Sequence, residues 1–226
     1  SPRPAASELI RQVTLEGRVN YLENHPTGFL ETREVMGNFR VEFESSDQFS
    51  VDYTDTYENL PVDFRVTPEV IIPFGRYSFR DLQARFNFGP QRFYSGSLSV
   101  RQGKFFDGDR TSVGFNRGRI EILRQLSLEP SLSFNWVDLP QGSFTQHVAS
   151  TRVSYSFSPR LFLSGLVQYS SLSESLSGNF RLRWEYAPGS EIFLVYTEER
   201  DTDVFDRFSA LSNRGFVIKM NRLLRL

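Results

Sequence analysis

The chain has 226 residues, 39% of them hydrophobic and 15% aromatic, which suits one large all-β domain or two ordinary ones and excludes a disordered tail. Lys and Arg number 26 against 27 Asp and Glu, so a formal charge of -1 excludes any global field that would hold nucleic acid or an anionic membrane surface. With no cysteine there is no disulfide, thiolate metal site or cysteine nucleophile, and metal chemistry would rest on oxygen ligands and on His25 and His147.

No apolar run approaches the ~20 residues of a spanning helix, which excludes helical insertion and leaves a membrane barrel open. Residues 1–7 carry neither an initiator Met nor an apolar signal core. The expectation is a mature chain or an excised piece, with a lead-in over 1–7 and a β domain over 8–226.

Alternation with a period of two begins with Val13, Leu15, Gly17, Val19 and Tyr21 against Thr14, Glu16, Arg18 and Asn20. It resumes after a Pro and Gly loop as Val35, Gly37, Phe39 and Val41 against Asn38, Arg40 and Glu42. Phe49, Val51, Tyr53 and Tyr57 make a third stripe, followed by a connection from Glu58 to Arg76 with three prolines. Leu82, Ala84, Phe86 and Phe88 then turn at Gly89-Pro90 into Tyr94, Leu98 and Val100. Phe105 to Arg110 is expected as a loop.

Val113 and Phe115 share a strand with Ile120 and Ile122 across a parity shift of the kind a bulge causes. Leu132, Phe134 and Trp136 form the next, and Asp138 to Ser143 is expected as a loop leading to Ala149, Val153, Tyr155 and Phe157. Leu161, Leu163, Val167 and Tyr169 follow, then Leu176, Phe180, Leu182, Trp184 and Tyr186 against Arg181, Arg183 and Glu185. Ile192, Leu194 and Tyr196, an acidic loop, and Phe216, Ile218, Met220, Leu224 and Leu226 close a pattern of twelve strands without a helix.

Connections are expected to alternate, tight near Ser46, Gly89, Arg124, Pro159 and Gly189 and long between them. An even set of antiparallel strands of about ten residues with that loop asymmetry predicts an all-β, up-and-down transmembrane β-barrel, or the C-terminal portion of a larger one. Two aromatic girdles are predicted on the apolar face. Phe49, Phe86, Phe88, Tyr94, Tyr155, Phe157, Trp184 and Tyr186 lie near the tight turns, and Tyr21, Tyr57, Trp136 and Tyr169 near the loops. A water-soluble lipocalin-like barrel binding an apolar ligand is the inverse reading, because alternation alone does not say which face meets solvent.

Segments 30–35 (LETREV), 136–144 (WVDLPQGSF), 181–190 (RLRWEYAPGS) and 221–226 (NRLLRL) resemble the C-terminal part of a bacterial domain of unknown function. In that family the domain follows a periplasmic module similar to carbohydrate-binding family 9. The resemblance spans nearly the whole chain after Ser7 and implies an outer-membrane location and a longer parent. Its terminal residue is typically aromatic where this chain has Leu226. It implies as partners outer-membrane lipid and lipopolysaccharide, the barrel-assembly machinery through the C-terminal strand, and a carbohydrate-binding-like module of the same parent chain.

The polar face carries the pore-lining candidates Arg40, Arg85, Arg101, Arg152, Arg181, Arg183, Glu42, Glu129 and Glu185. They would either line a water-filled channel, with Arg152, Arg181 and Arg183 as an anion-attracting ladder, or pair across strands to fill a narrow interior. His147 with Ser143 or Ser150 is the one arrangement that would suit an outer-membrane barrel hydrolase acting on lipid or glycan. Asp201, Asp203 and Asp206, with Glu198 and Glu199, supply oxygen ligands but no glycine at the turn a calcium loop needs. Asp107 and Asp109 read as a turn. Nothing suggests a cofactor or a nucleotide loop. The sequence therefore predicts an outer-membrane barrel that is a channel for small solutes or the anchor of a glycan-binding module.

Overall fold

The computed structural model describes residues 9–24, 28–92, 94–203 and 210–223, so His25, Asp206, Leu224, Arg225, Leu226 and the boundary expected after Ser7 lie outside the described residues. The chain is all-β. Its strands are β1 (Ile10–Asn24), β2 (Phe29–Phe43), β3 (Gln48–Leu60), β4 (Phe64–Arg65), β5 (Ile71–Ile72), β6 (Gly75–Phe88) and β7 (Tyr94–Phe105). They continue as β8 (Gly108–Leu123), β9 (Leu126–Leu139), β10 (Gly142–Ser158), β11 (Leu161–Ser170), β12 (Ser175–Ala187), β13 (Ser190–Asp201) and β14 (Ala210–Asn221).

Twelve strands form one antiparallel up-and-down sheet in chain order, β1-β2-β3-β6-β7-β8-β9-β10-β11-β12-β13-β14, and β4 and β5 form a separate small hairpin. The described residues fall into two compact units. One comprises 1–92, 96–115 and 133–146, the other 93–95, 116–132 and 147–226.

Alternation builds the strands as expected. Along β7, Tyr94, Leu98, Val100, Gln102 and Lys104 are exposed, while Ser95, Ser97, Ser99, Arg101 and Phe105 are covered to some degree. In β2, Val35, Gly37 and Phe39 are exposed and Glu34, Asn38 and Arg40 less so. Gly103 permits the close approach of β6 and β7, since a Cβ there would stand 2.3 Å from the Arg80 carbonyl oxygen and 2.4 Å from Asp81 Cα.

Two expected loops are instead tight hairpins. β7 runs to Phe105 and β8 starts at Gly108; β9 runs to Leu139 and β10 starts at Gly142. Asp-Gly and Pro-Gln-Gly are turn-forming residues, but the alternation of Phe105, Val137 and Leu139 continues up to them, so pairing extends to a two-residue turn. Phe106 supports its turn with a φ of 53°. Loop length therefore does not alternate strictly from end to end.

The proline-rich connection folds too. β3 extends to Leu60, β6 begins at Gly75, and the segment between them forms β4 and β5, paired as Phe64 with Ile72 and Arg65 with Ile71. Leu60, Val70, Ile72, Phe79, Phe106, Val137 and Leu139 are the buried hydrophobic cluster of the described residues, flanked by Val66, Tyr77, Phe105 and Phe144. This core belongs to a strap over strand ends rather than to the middle of the sheet.

At the opposite end of β3, Asp47 is buried in the turn after β2 and accepts hydrogen bonds from the Gly89 amide (2.7 Å), Ser45 Oγ (2.8 Å) and Arg92 Nη2 (2.5 Å). One carboxylate thus ties the β2–β3 turn to the β6–β7 turn. The Gly89 amide, then Ser45 and Arg92, hold that carboxyl below the usual carboxylate range.

Candidate functional site

Strand register sorts the side chains into rows. On the apolar face of the first unit, Gly37, Tyr53, Leu82 and Gln102 form one row, Phe39, Val51, Ala84 and Val100 the next, and Val41, Phe49, Phe86 and Leu98 a third. On the second unit the rows are Leu161, Trp184, Ile192 and Met220; Leu163, Leu182, Leu194 and Ile218; and Gly165, Phe180, Tyr196 and Phe216.

Charge bounds each set, toward the β3–β6 connection in one unit and toward the β13–β14 connection in the other. Asp55 bonds Arg80 Nε at 2.6 Å and lies 3.6 Å from Arg33, and Lys104 bonds Asp109 at 2.9 Å. Glu198, beyond Tyr196, accepts from Tyr196, Arg200 and, at 3.0 Å, Arg214.

Apolar side chains in these rows are open to the surroundings, with Leu98 46% exposed, Trp184 48% and Phe216 62%. The predicted aromatics sit on this face in adjacent pairs: Phe86 and Phe88 with ring centroids 5.1 Å apart, Tyr155 and Phe157 at 4.6 Å, and Trp184 and Tyr186 at 6.2 Å. Tyr21, Arg33 and Tyr57 share one row. Phe49 and Tyr57 are eight residues apart on β3, about 27 Å along the strand and roughly 20 Å across a layer at a 40° tilt. Tyr94, Trp136 and Tyr169 are exposed. Trp136 also lines a cleft of ≈ 510 Å³ with Asp109, Thr111, Asp138, Ser143 and Thr145.

The other face carries the pore-lining candidates. In the first unit Arg40 has no ion pair among the described residues, and Glu42 accepts from Arg11 Nη1 at 2.8 Å. Arg85 and Arg101 both donate to Gln83 Oε1, at 3.2 and 2.8 Å. In the second unit Arg152 lies 3.7 Å from Glu129, Arg183 donates to Glu191 (Nε, 2.9 Å), and Arg181 is exposed with no ion pair among the described residues. Register places Arg152, Arg181 and Arg183 on three successive rows, opposite Leu166, Ser164 and Phe162. Glu185 instead braces its turn by accepting from the Gly189 amide at 3.1 Å.

The β4–β5 hairpin lies on this same face. Leu60 shares the parity of Ser50 and Asp52, Phe79 that of Asp81 and Arg85, Phe105 that of Arg101, and Val137 that of Asn135. Below it, Asp81 lies 3.3 Å from Arg110 and 3.6 Å from Arg101. The sequence places Phe105 and Arg110 in an expected loop and leaves Phe79 unassigned. The signal that identifies them is an apolar residue appearing on the polar parity near a strand end.

The remaining candidates do not converge. His147 and Ser150 differ in parity on β10, and the His147 backbone pairs with Ser171 through its amide on Ser171 Oγ (2.8 Å) and its carbonyl on the Ser171 amide (2.9 Å). No group of three His, Asp or Glu residues among the described residues is placed to hold a metal. Comparison with protein-family models, curated proteins and solved structures finds no match.

Proposed function

We propose that the chain is the membrane-spanning β-barrel of a bacterial outer-membrane protein and acts there as a channel for small solutes. The observation that carries this is the exposure of the apolar parity of β7: Leu98 and Val100 face the surroundings while Ser97, Ser99 and Arg101 are more covered. A lipocalin-like barrel would reverse that assignment and hide the apolar rows. The height of the band, roughly 20 Å between aromatic rows, suits the ~25 Å apolar belt of outer-membrane strands.

Outer-membrane lipid and lipopolysaccharide are then the partners of the apolar face and its charged border. The barrel-assembly machinery would engage the C-terminal strand. The difference in parity between His147 and Ser150 argues against that pair as the core of a barrel hydrolase.

A second reading is favoured by the hairpin. Its packing across the polar face of unit one narrows whatever that face encloses, which suits a filled barrel anchoring a glycan-binding module of the same parent chain. Planar-bilayer recording of the refolded chain separates the two. Stable ohmic steps are expected for the channel; silence from protein whose insertion is verified by flotation with liposomes would overturn it in favour of the anchor.

A further inference from the structure

Asp81, Gln83 and Arg85 occupy alternate positions of β6 on the polar face, and β7 places Gly103 opposite Asp81, Arg101 opposite Gln83 and Ser99 opposite Arg85. Gly103 has no side chain, so Arg110 on β8 reaches past β7 to Asp81 at 3.3 Å. Arg101 approaches the same carboxylate to 3.6 Å from its own strand. Three guanidinium groups are thus gathered around one carboxylate and one neutral amide. The nearest other acid on this face is Asp52, opposite Gln83 on β3, and it is already bonded to Asn38 Nδ2 at 2.5 Å.

The donors greatly outnumber their acceptors. Each guanidinium carries five N–H groups in a planar fork. Gln83 Oε1 takes one from Arg85 and one from Arg101, and Asp81 is met only at the lengths given. Arg110 Nε is buried with no hydrogen-bond partner among the described residues, and its guanidinium carbon stands 4.8 Å from the Phe105 ring centroid. Arg101 keeps 37% of its side chain accessible, so the cluster is open on one side.

We propose that Arg85, Arg101 and Arg110 form a binding site for the carboxylate or phosphate group of a small solute, at the point where the β4–β5 hairpin crosses the polar face. This deepens the channel reading and rests on it for the solute's route of access. The planar fork matches an oxyanion in pairs of parallel bonds, which a lysine would not do. Asp81 spaces the guanidinium groups and offsets part of their mutual repulsion without cancelling it.

Calorimetric titration of the refolded full chain in detergent micelles, with inorganic phosphate and with sodium acetate as separate probes, tests the site. Saturable binding of one probe or both is expected, and which of them binds separates a phosphate site from a carboxylate site. Arg101→Gln and Arg110→Gln are each expected to weaken it about tenfold, the loss of one charge-assisted contact, while Arg152→Gln in the other unit changes it less than about twofold. Asp81→Asn is expected to tighten it severalfold, a change of opposite sign that keeps the test decisive where an arginine variant fails to fold. Absence of saturable binding by either probe, equal effects of Arg101→Gln and Arg152→Gln, or weakening by Asp81→Asn would overturn the site. A chain that conducts without binding loses the site and keeps the channel; one that binds in this pattern without conducting loses the channel and keeps the site.

Discussion

Ile72 is the most deeply buried large side chain described, 0% exposed, and it seats the β4–β5 hairpin on the strand ends. Ile72→Ala removes three carbons from a closed apolar cluster, and such truncations cost about 2–5 kcal/mol. The strap is tied to the rest of the unit chiefly by this cluster, so the loss falls on docking rather than on the sheet ladder. At about 3 kcal/mol the undocked population rises roughly 150-fold. Arg65 lies in β4 and is exposed, but tryptic cleavage after it needs the hairpin to leave the strands, so its rate tracks that population. Limited trypsin digestion of the micelle-bound chain, with fragments assigned by mass, is expected to show cleavage after Arg65 accelerated about a hundredfold in Ile72→Ala. In Ile72→Val, which costs about 0.5–1.5 kcal/mol, the acceleration is only about twofold to twelvefold. Cleavage after Arg124, in a tight turn of the other unit, serves as the internal reference. A folded Ile72→Ala chain as resistant at Arg65 as the parent, or a parent already cut there at its maximal rate, would refute the docked strap.

Leu98→Arg is expected to cost about 2–4 kcal/mol if its row faces lipid and close to nothing if it faces water; urea unfolding in phospholipid vesicles reads the difference. Gly103→Ala places a Cβ 2.3 Å from the Arg80 carbonyl oxygen and is expected to destabilise by about 1–3 kcal/mol, while Gly17→Ala, with nothing within 4 Å of the new atom, is neutral or slightly stabilising in the same assay. The Asp47 carboxyl is held below its ordinary value of 3.8, so its contribution is complete above that pH and is lost as pH falls through the lower, folded-state value. The protection factor of the Gly89 amide should therefore fall only below about pH 4, and Asp47→Asn should remove that acid dependence; loss of protection already at neutral pH would contradict the linkage.

Much of the molecule is legible in period and parity. The run from Leu176 to Tyr186, with Arg181, Arg183 and Glu185 between, specifies a strand, its length and its two faces, because successive side chains of an extended backbone must point apart. The tight turns at Gly89, Pro159 and Gly189, and the concentration of aromatics beside them, are local chemistry and can be read locally. Antiparallel order follows from short connections.

Other features depend on contacts between residues distant in the chain. Phe105 and Asp107-Gly108 look like a loop because turn residues mark it, yet pairing carries the strand through to a two-residue turn. The connection from Glu58 to Arg76 reads as an irregular loop, and only packing of Val70 and Ile72 against Phe79, Phe106, Val137 and Leu139 makes it a strap. Arg110 joins Asp81 across a glycine on an intervening strand, a relation with no sequence period. Alternation by itself determined that there are two faces and which residues share each one; the tertiary structure decided which face is covered, because burial belongs to the whole arrangement of strands and cannot be assigned from any one of them.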